Sequence, residues 1–185
     1  GGGGDGYGVL DRFVAMHDYF PTTLPFKSLI ITGPFMPKKK REQIKRRGRY
    51  YGIKTLPFHS RLEELIQAAD LVISMGGYNT ICEILSQQTP ALIIPRETPR
   101  KEQLIRAQRL KEQNLIDYLG WHEITPQLLR DKIFSILEQA DHHTRAMATF
   151  KLTGLDTMLE RLKFFRAHNG NGASAETAEL LGADR

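Results

Sequence analysis

The chain has 185 residues, 41% of them hydrophobic, with a net charge of +5, enough material for one core at the usual size of roughly 100–200 residues per domain. No apolar run approaches the roughly 20 residues that span a bilayer, and no signal-peptide pattern is visible. Cys82 is the single cysteine, which excludes a disulfide within this chain and suits a reducing compartment.

The first element in chain order is a glycine run, Gly1 to Gly4, followed by Asp5-Gly6-Tyr7-Gly8. Val9, Leu10, Phe13, Val14 and His17 then recur at helical spacing, predicting a helix over 8–19. Oligoglycine is also what a cloning remnant looks like. Further along, strand-like apolar runs at 28–32, 52–58, 71–74, 91–94 and 115–118 alternate with helical segments near 37–48, 60–69, 79–87 and 101–113. In 60–69, Leu62, Leu65, Ile66 and Ala69 share one face, as packing onto a sheet requires. The alternation predicts an α/β fold with a Rossmann-like parallel sheet and helices on both faces. Beyond Gly120 the pattern is helical only. Thr125-Pro126 marks a helix start, and 125–139 and about 155–168 are both amphipathic. Leu155, Met158, Leu159, Leu162 and Phe165 form a stripe that either packs on this domain or lies against another. Residues 169–185 lack aromatics and are expected to be a disordered tail, leaving 1–168 as the folded domain.

Charge is uneven. Lys38 to Arg49 holds eight basic residues and one acid, so the remainder is at −2. Such a patch is either a solvated helix face or a contact for anionic lipid headgroups. Nucleic acid is not expected, because Tyr50-Tyr51 are the only neighbouring aromatics and no recognition motif is present. No Cys/His cluster or Asp-X-Asp pattern suggests a metal site, and no cofactor is expected. His142-His143 are adjacent, point apart on a helix, and are expected at the surface.

The stretch Ser74 to Gln103 carries the most chemistry. Leu71-Val72-Ile73-Ser74 is a short strand ending at Gly76-Gly77, and helix-compatible residues follow from Thr80 to Gln87. Glycines there let a ligand approach the backbone, and the unpaired N–H groups of a helix's first turn suit a diphosphate. Glu83 follows Thr80 by three residues. Its carboxylate either reaches the mouth of the turn, where it could accept two hydrogen bonds from a ribose diol, or closes a capping box with Thr80. Ligands in open parallel sheets collect at the carboxyl ends of the strands, where Gly33, Phe58-His59, Gly76-Gly77 and Arg96 are expected to fall.

Gly76-Gly77-Tyr78-Asn79-Thr80, Glu83, Thr89-Pro90-Ala91-Leu92-Ile93-Ile94-Pro95 and Glu102-Gln103, taken in order, resemble the donor-binding motif of GT-B glycosyltransferases. Nearest are the family-28 enzymes and bacterial predicted glycosyltransferases with a Gly-Gly-Gly-Gly-Asp-Gly loop; the resemblance runs from Gly1 to about Leu119. It implies one half of a GT-B fold that binds a UDP-sugar for metal-independent transfer of a hexose or N-acetylhexosamine. The acceptor would be held by an amino-terminal domain, in cis or in trans, which this chain and its missing first strand do not supply. By the same resemblance Glu83 holds the ribose, while Gly76, Gly77, Asn79 and Thr80 lie beside the diphosphate and Glu102 and Gln103 face the sugar. Phe58 and His59 hold the base, largely through backbone groups; an ordinary loop histidine is the other reading of His59. Gly4, Asp5 and Gly6 correspond to a loop that approaches the diphosphate or the acceptor. Met75 departs from the pattern, since relatives often carry Arg or His near the phosphates; Arg96, Arg100 or Lys101 are the candidates to compensate. No residue here is a candidate for the catalytic base. The single cysteine fits a cytoplasmic location, and peripheral attachment to an anionic membrane through Lys38–Arg49 is one reading of the basic patch, the other being the solvated helix face. Half of a non-hydrolysing UDP-sugar epimerase and the donor-binding subunit of a split transferase remain as alternatives.

Overall fold

The computed structural model describes residues 4–20 and 24–150, all but the last of them within one compact unit, Gly1–Thr149. The predicted helix at 155–168 with its apolar stripe, and the tail at 169–185, lie outside the described residues. Helix α1 (Tyr7–Tyr19) is followed by β1 (Leu29–Ile31), α2 (Lys38–Tyr50), β2 (Lys54–Leu56), α3 (Leu62–Gln67) and β3 (Val72–Ser74). Then come α4 (Tyr78–Gln87), β4 (Ala91–Ile93), α5 (Glu102–Glu112), β5 (Asp117–Tyr118), α6 (Pro126–Glu138) and α7 (Ala140–Thr149).

Every strand pairing is parallel. β1 lies on β2 with Leu29 opposite Lys54, and a second ladder runs β3-β4-β5 with Val72 opposite Ala91 and Leu92 opposite Asp117. Parallel neighbours need a crossover between them, and α2, α4 and α5 supply it. The strand-helix alternation therefore reads correctly from the sequence, but the backbone ladder is in two pieces instead of one. What joins the pieces is side-chain packing. Ile30 of β1, Ile44 of α2 and Leu92 of β4 share one core with Val9, Phe13, Val14 and Met16 of α1 and Leu129, Ile133 and Ile136 of α6. All three residues of β4 are buried, which is why its sequence is continuously apolar instead of alternating.

Local chemistry sets the helix ends. Thr125 caps α6 by accepting from the Leu128 N–H at 3.1 Å, with Pro126 in the first turn, so the N–H that proline lacks is one the helix would leave unpaired. α4 ends at Gln88 in the left-handed region (φ 54°), after which the Thr89 hydroxyl donates to the Ile66 carbonyl at 2.9 Å and fixes α3 beneath the turn.

Helix α7 was not anticipated, and it changes the reading of one residue. His142 is exposed, but its neighbour His143 is only 4% exposed, which corrects the surface role expected for the pair. The His143 Nδ1 donates to the Asn114 carbonyl at 3.0 Å, and Nε2 faces Asp117 Oδ2 at 3.6 Å. Lys111 Nζ, at 2.6 Å, and Lys132 Nζ, at 3.7 Å, complete the group around Asp117. The His143 imidazole facing it, reinforced by Lys111 and Lys132 and opposed by burial, holds the Asp117 carboxyl well below the usual carboxylate range. Asp117 in turn raises His143 above an ordinary histidine, again against burial.

Candidate functional site

Parallel β3 and β4 end side by side, with the Ile94 N–H donating to the Ser74 carbonyl at 2.8 Å. The segment after β3 turns sharply. Ser74 Oγ accepts from the Gly76 N–H at 3.2 Å, and Gly76 has φ +73° with a would-be Cβ 2.7 Å from Ile93 Cγ2, so no other residue fits there without strain. Gly77 follows as the cap of α4 and meets nothing within 4 Å of its would-be Cβ. Having no side chain, it caps nothing. The first intrahelical bond runs from the Ile81 N–H to the Gly77 carbonyl at 2.9 Å, so the amides of Tyr78, Asn79 and Thr80 receive no helix carbonyl. Asn79 is exposed and Thr80 buried.

This geometry decides between the two readings of Glu83. A capping box requires Thr80 at the cap and Glu83 three residues inside, but Thr80 is already the third helical residue and Glu83 the sixth. Glu83 is therefore not a capping residue. Its Oε2 is buried and has no hydrogen-bond partner, an arrangement that costs free energy unless something else meets it.

The segment after β4 brings in the glycine loop. Arg96 Nη1 pairs with Asp5 Oδ2, joining the loop at residues 4–6 to the end of β4; a cloning remnant would have no such seat. Behind Asp5, Gly8 packs so closely on Trp121 that an added Cβ would lie 2.4 Å from Cη2. Arg12 stacks on the same ring at 4.4 Å, and the Trp121 N–H donates to Glu97 Oε1 at 2.8 Å. Gln103 Oε1 accepts from the Arg96 N–H at 3.0 Å, so it braces this loop from α5. Glu102 and Arg100 are exposed beside it, as is Lys101, the cap of α5.

Two features differ from the expected constellation. Phe58 is exposed after β2, in the other ladder, and His59 Nδ1 lies 3.0 Å from the Arg61 carbonyl and 3.3 Å from the Arg61 N. Its ring is thus engaged within its own loop, and among the described residues no hydrogen bond or ion pair connects it to the turn after β3. The second feature is Arg106, which sequence reasoning missed. It reaches from α5 to donate to the Gly76 carbonyl at 2.9 Å, with its guanidinium 5.6 Å from the Tyr78 ring centroid. In sequence Arg106 is one of several cations on an amphipathic helix, and only the seating of α5 against β5 shows which of them faces the turn.

Comparison with known proteins matches this arrangement. The transferase "UDP-N-acetylglucosamine--N-acetylmuramyl-(pentapeptide) pyrophosphoryl-undecaprenol N-acetylglucosamine transferase" of Streptococcus uberis is 35% identical over 88 residues, 46% of this chain and 25% of that protein. The transferase of the same name from Oceanobacillus iheyensis is 36% identical over 81 residues, 43% of this chain and 23% of that protein. The aligned region thus spans about a quarter of the length of these curated relatives. Among solved structures, MurG of Acinetobacter baumannii superposes with a TM-score of 0.69 at 18% identity, over 88% of this chain and 47% of that one. The glycosyltransferase VinC in complex with DTDP gives 0.55 at 19%, over 76% and 31%. At these identities the structures show a shared GT-B-type fold. The family model described as "Glycosyltransferase family 28 C-terminal domain" matches residues 2–162, and the chain therefore belongs to glycosyltransferase family 28, as its C-terminal domain.

Proposed function

We propose that this domain binds the UDP-sugar donor of a glycosyltransferase and presents it to an acceptor held by a second domain. The observation that carries the reading is the buried, unpartnered Oε2 of Glu83 on a helix whose first amides are also unpartnered. A ribose diol offers two hydroxyl donors to that carboxylate, and a diphosphate suits the amides of Tyr78, Asn79 and Thr80 and the positive end of the helix dipole. Gly76 and Gly77 give the phosphates their approach. Asp5, with Gly4 and Gly6, and Arg96 flank them, Glu102 and Arg100 project toward the sugar side, and Gln103 sets the loop that carries Arg96. Phe58 and His59 offer backbone groups to the base. In transfer, the helix amides would stabilise the departing nucleotide diphosphate as charge develops on it, while the acceptor hydroxyl is activated from the other domain. Relatives whose names are those of transferases favour this over the epimerase reading. Calorimetry with UDP and no divalent metal tests it: binding is expected, and binding that appears only with magnesium or manganese would overturn the metal-independent mode.

We further infer that α2 rests on an anionic lipid surface. Arg47 is committed to Asp11 and Asp18 of α1, Arg41 to the Met36 carbonyl, and Lys40 to the face of the Tyr7 ring, 4.8 Å from its centroid. Lys38, Lys39, Lys45, Arg46 and Arg49 remain, all exposed, and at about 100° per residue they fall within an arc of roughly 120° opposite the buried Ile44 and Gly48. Tyr50, 84% exposed, borders that arc, and Phe35, 77% exposed, precedes the helix. Cations with exposed aromatics at the edge suit a headgroup layer, each cation contributing about 1 kcal/mol near the surface. Sedimentation with phosphatidylglycerol vesicles is expected to be salt-sensitive; binding unchanged after Lys38, Lys39, Lys45 and Arg46 are replaced by Gln would leave a solvated helix face. Among the described residues no helix is long and apolar enough to cross a membrane.

A further inference from the structure

Arg106 is a half-buried cation without an anion. Its Nη1 donates to the Gly76 carbonyl at 2.9 Å and its guanidinium lies over Tyr78, and neither partner carries a charge. Among the described residues no carboxylate lies within ion-pair distance of it. A carbonyl and a ring face orient a guanidinium without neutralising it, whereas charges drawn out of water are ordinarily paired.

The place where it is held gives the vacancy a meaning. Gly76 precedes the cap of α4, and Tyr78 is the first residue of that helix, so both partners of Arg106 flank the open amides of the turn. Met75, at the end of β3, packs on the core and brings no charge to the turn. Arg96 is engaged by Asp5, and Arg100 and Lys101 are exposed.

We propose that Arg106 supplies, from α5, the cation for the donor's diphosphate. The inference rests on the donor-binding reading above. Guanidinium has five N–H donors. One is spent on the Gly76 carbonyl, which aims the group, and the remainder are free for phosphate oxygens with the planar geometry that favours Arg over Lys at such contacts.

The experiment compares UDP with uridine on the whole 185-residue chain, by calorimetry for UDP and NMR titration for the weaker nucleoside. Arg106→Gln keeps an amide donor for the Gly76 carbonyl but removes the charge. UDP affinity is expected to fall at least tenfold, with uridine affinity and melting temperature unchanged, and Arg106→Lys is expected to recover a measurable part of the loss. Wild-type UDP affinity in Arg106→Gln would overturn the proposal, as would an equal loss for UDP and uridine, which would mean that the side chain only props the turn. Should Arg106→Gln not fold, Arg106→Lys and the wild type decide: a wild-type preference for UDP over uridine that does not weaken with added salt would also overturn it. A wild-type chain that binds neither ligand would instead remove the donor-binding reading itself, so the two failures are distinguishable.

Discussion

At the corner behind β5, a carboxylate, an imidazole and two ammonium groups meet one another; at the turn after β3, a carboxylate oxygen and a guanidinium meet no opposite charge. Asp117 and His143 are as withdrawn from water as Glu83 and Arg106, or more so, yet Asp117 is ion-paired with His143, Lys111 and Lys132, even though its Oδ1 makes no aligned hydrogen bond, while Glu83 Oε2 has neither a hydrogen bond nor, among the described residues, an ion pair. The difference separates two uses of buried charge. A charge-balanced group fastens α7 to the sheet. An open group costs stability in the free protein, and a molecule that brings the missing hydroxyls and phosphate charges recovers that cost on binding.

Substitutions can break this contrast in a definite order. The largest effect is expected at Gly76→Ala, which must accept both a positive φ and a contact with Ile93; a loss of about 2–4 kcal/mol in stability, read by chemical denaturation, is expected, and an unchanged midpoint would show that the turn is not fixed as described. Glu83→Gln should do the reverse of a structural mutation. Its melting temperature should hold or rise, because an unpartnered charge is removed, while UDP affinity falls at least tenfold, the scale of one or two charge-assisted hydrogen bonds at about 1.5–3 kcal/mol each. Wild-type affinity there would sink the ribose assignment.

Asp117→Asn should cost about 1.5 kcal/mol of stability, on the order of one hydrogen bond to a charged group, and leave UDP binding alone. Its pH dependence has a definite sign. Because His143 is raised in the folded state, its contribution is complete below the unfolded histidine value and is lost as pH rises through the raised folded one. Because Asp117 is lowered, its contribution is complete above the unfolded carboxylate value and is lost as pH falls through the depressed folded one. The stability gap between wild type and Asp117→Asn should therefore be widest from about pH 4 to 6 and narrow on the alkaline side; a gap that does not narrow as pH rises through the histidine range would mean that the pair is not coupled. Thr125→Ala is the smallest, about 1 kcal/mol for a lost cap, with ligand binding untouched.

How much of this was legible beforehand depended on range. The apolar run at Ala91–Ile94 announced a buried strand, and Thr125-Pro126 announced a helix start, because both signals lie within a few residues of their effect. The T-x-x-E spacing at Thr80–Glu83 was ambiguous for the same reason: the pattern is local, but whether it caps depends on where the helix begins, and α4 begins at Tyr78. Helix α7 carries only His143 and Met147 on its buried face, too thin a stripe to register, and the burial of His143 depends on Asp117, far away in sequence. Arg106, Glu97 and Trp121 were invisible as site-building residues because their partners are set by how elements stack. Of the residues read from the motif, Gly76 and Gly77 follow the end of β3, Glu83 lies within α4 and Glu102 and Gln103 open α5, while the Phe58-His59 segment stands in the separate ladder.

The glycine loop also fixes an order of events. Asp5 is held by Arg96, Gly8 and Arg12 by Trp121, and the apolar face of α1 by α6. The loop thus has its seat among residues far along the chain, Arg96 lying 91 positions after Asp5. Until Trp121 and α6 are in place, the loop at residues 4–8 has only Arg96 to hold it, and contacts so far apart in sequence are the slow ones to form. The floor of the proposed pocket, from β3 to α4, can pair with β4 much earlier. The glycine loop is then the final piece set in place, and a chain cut short of α6 would form the turn after β3 without the loop fully seated beside it.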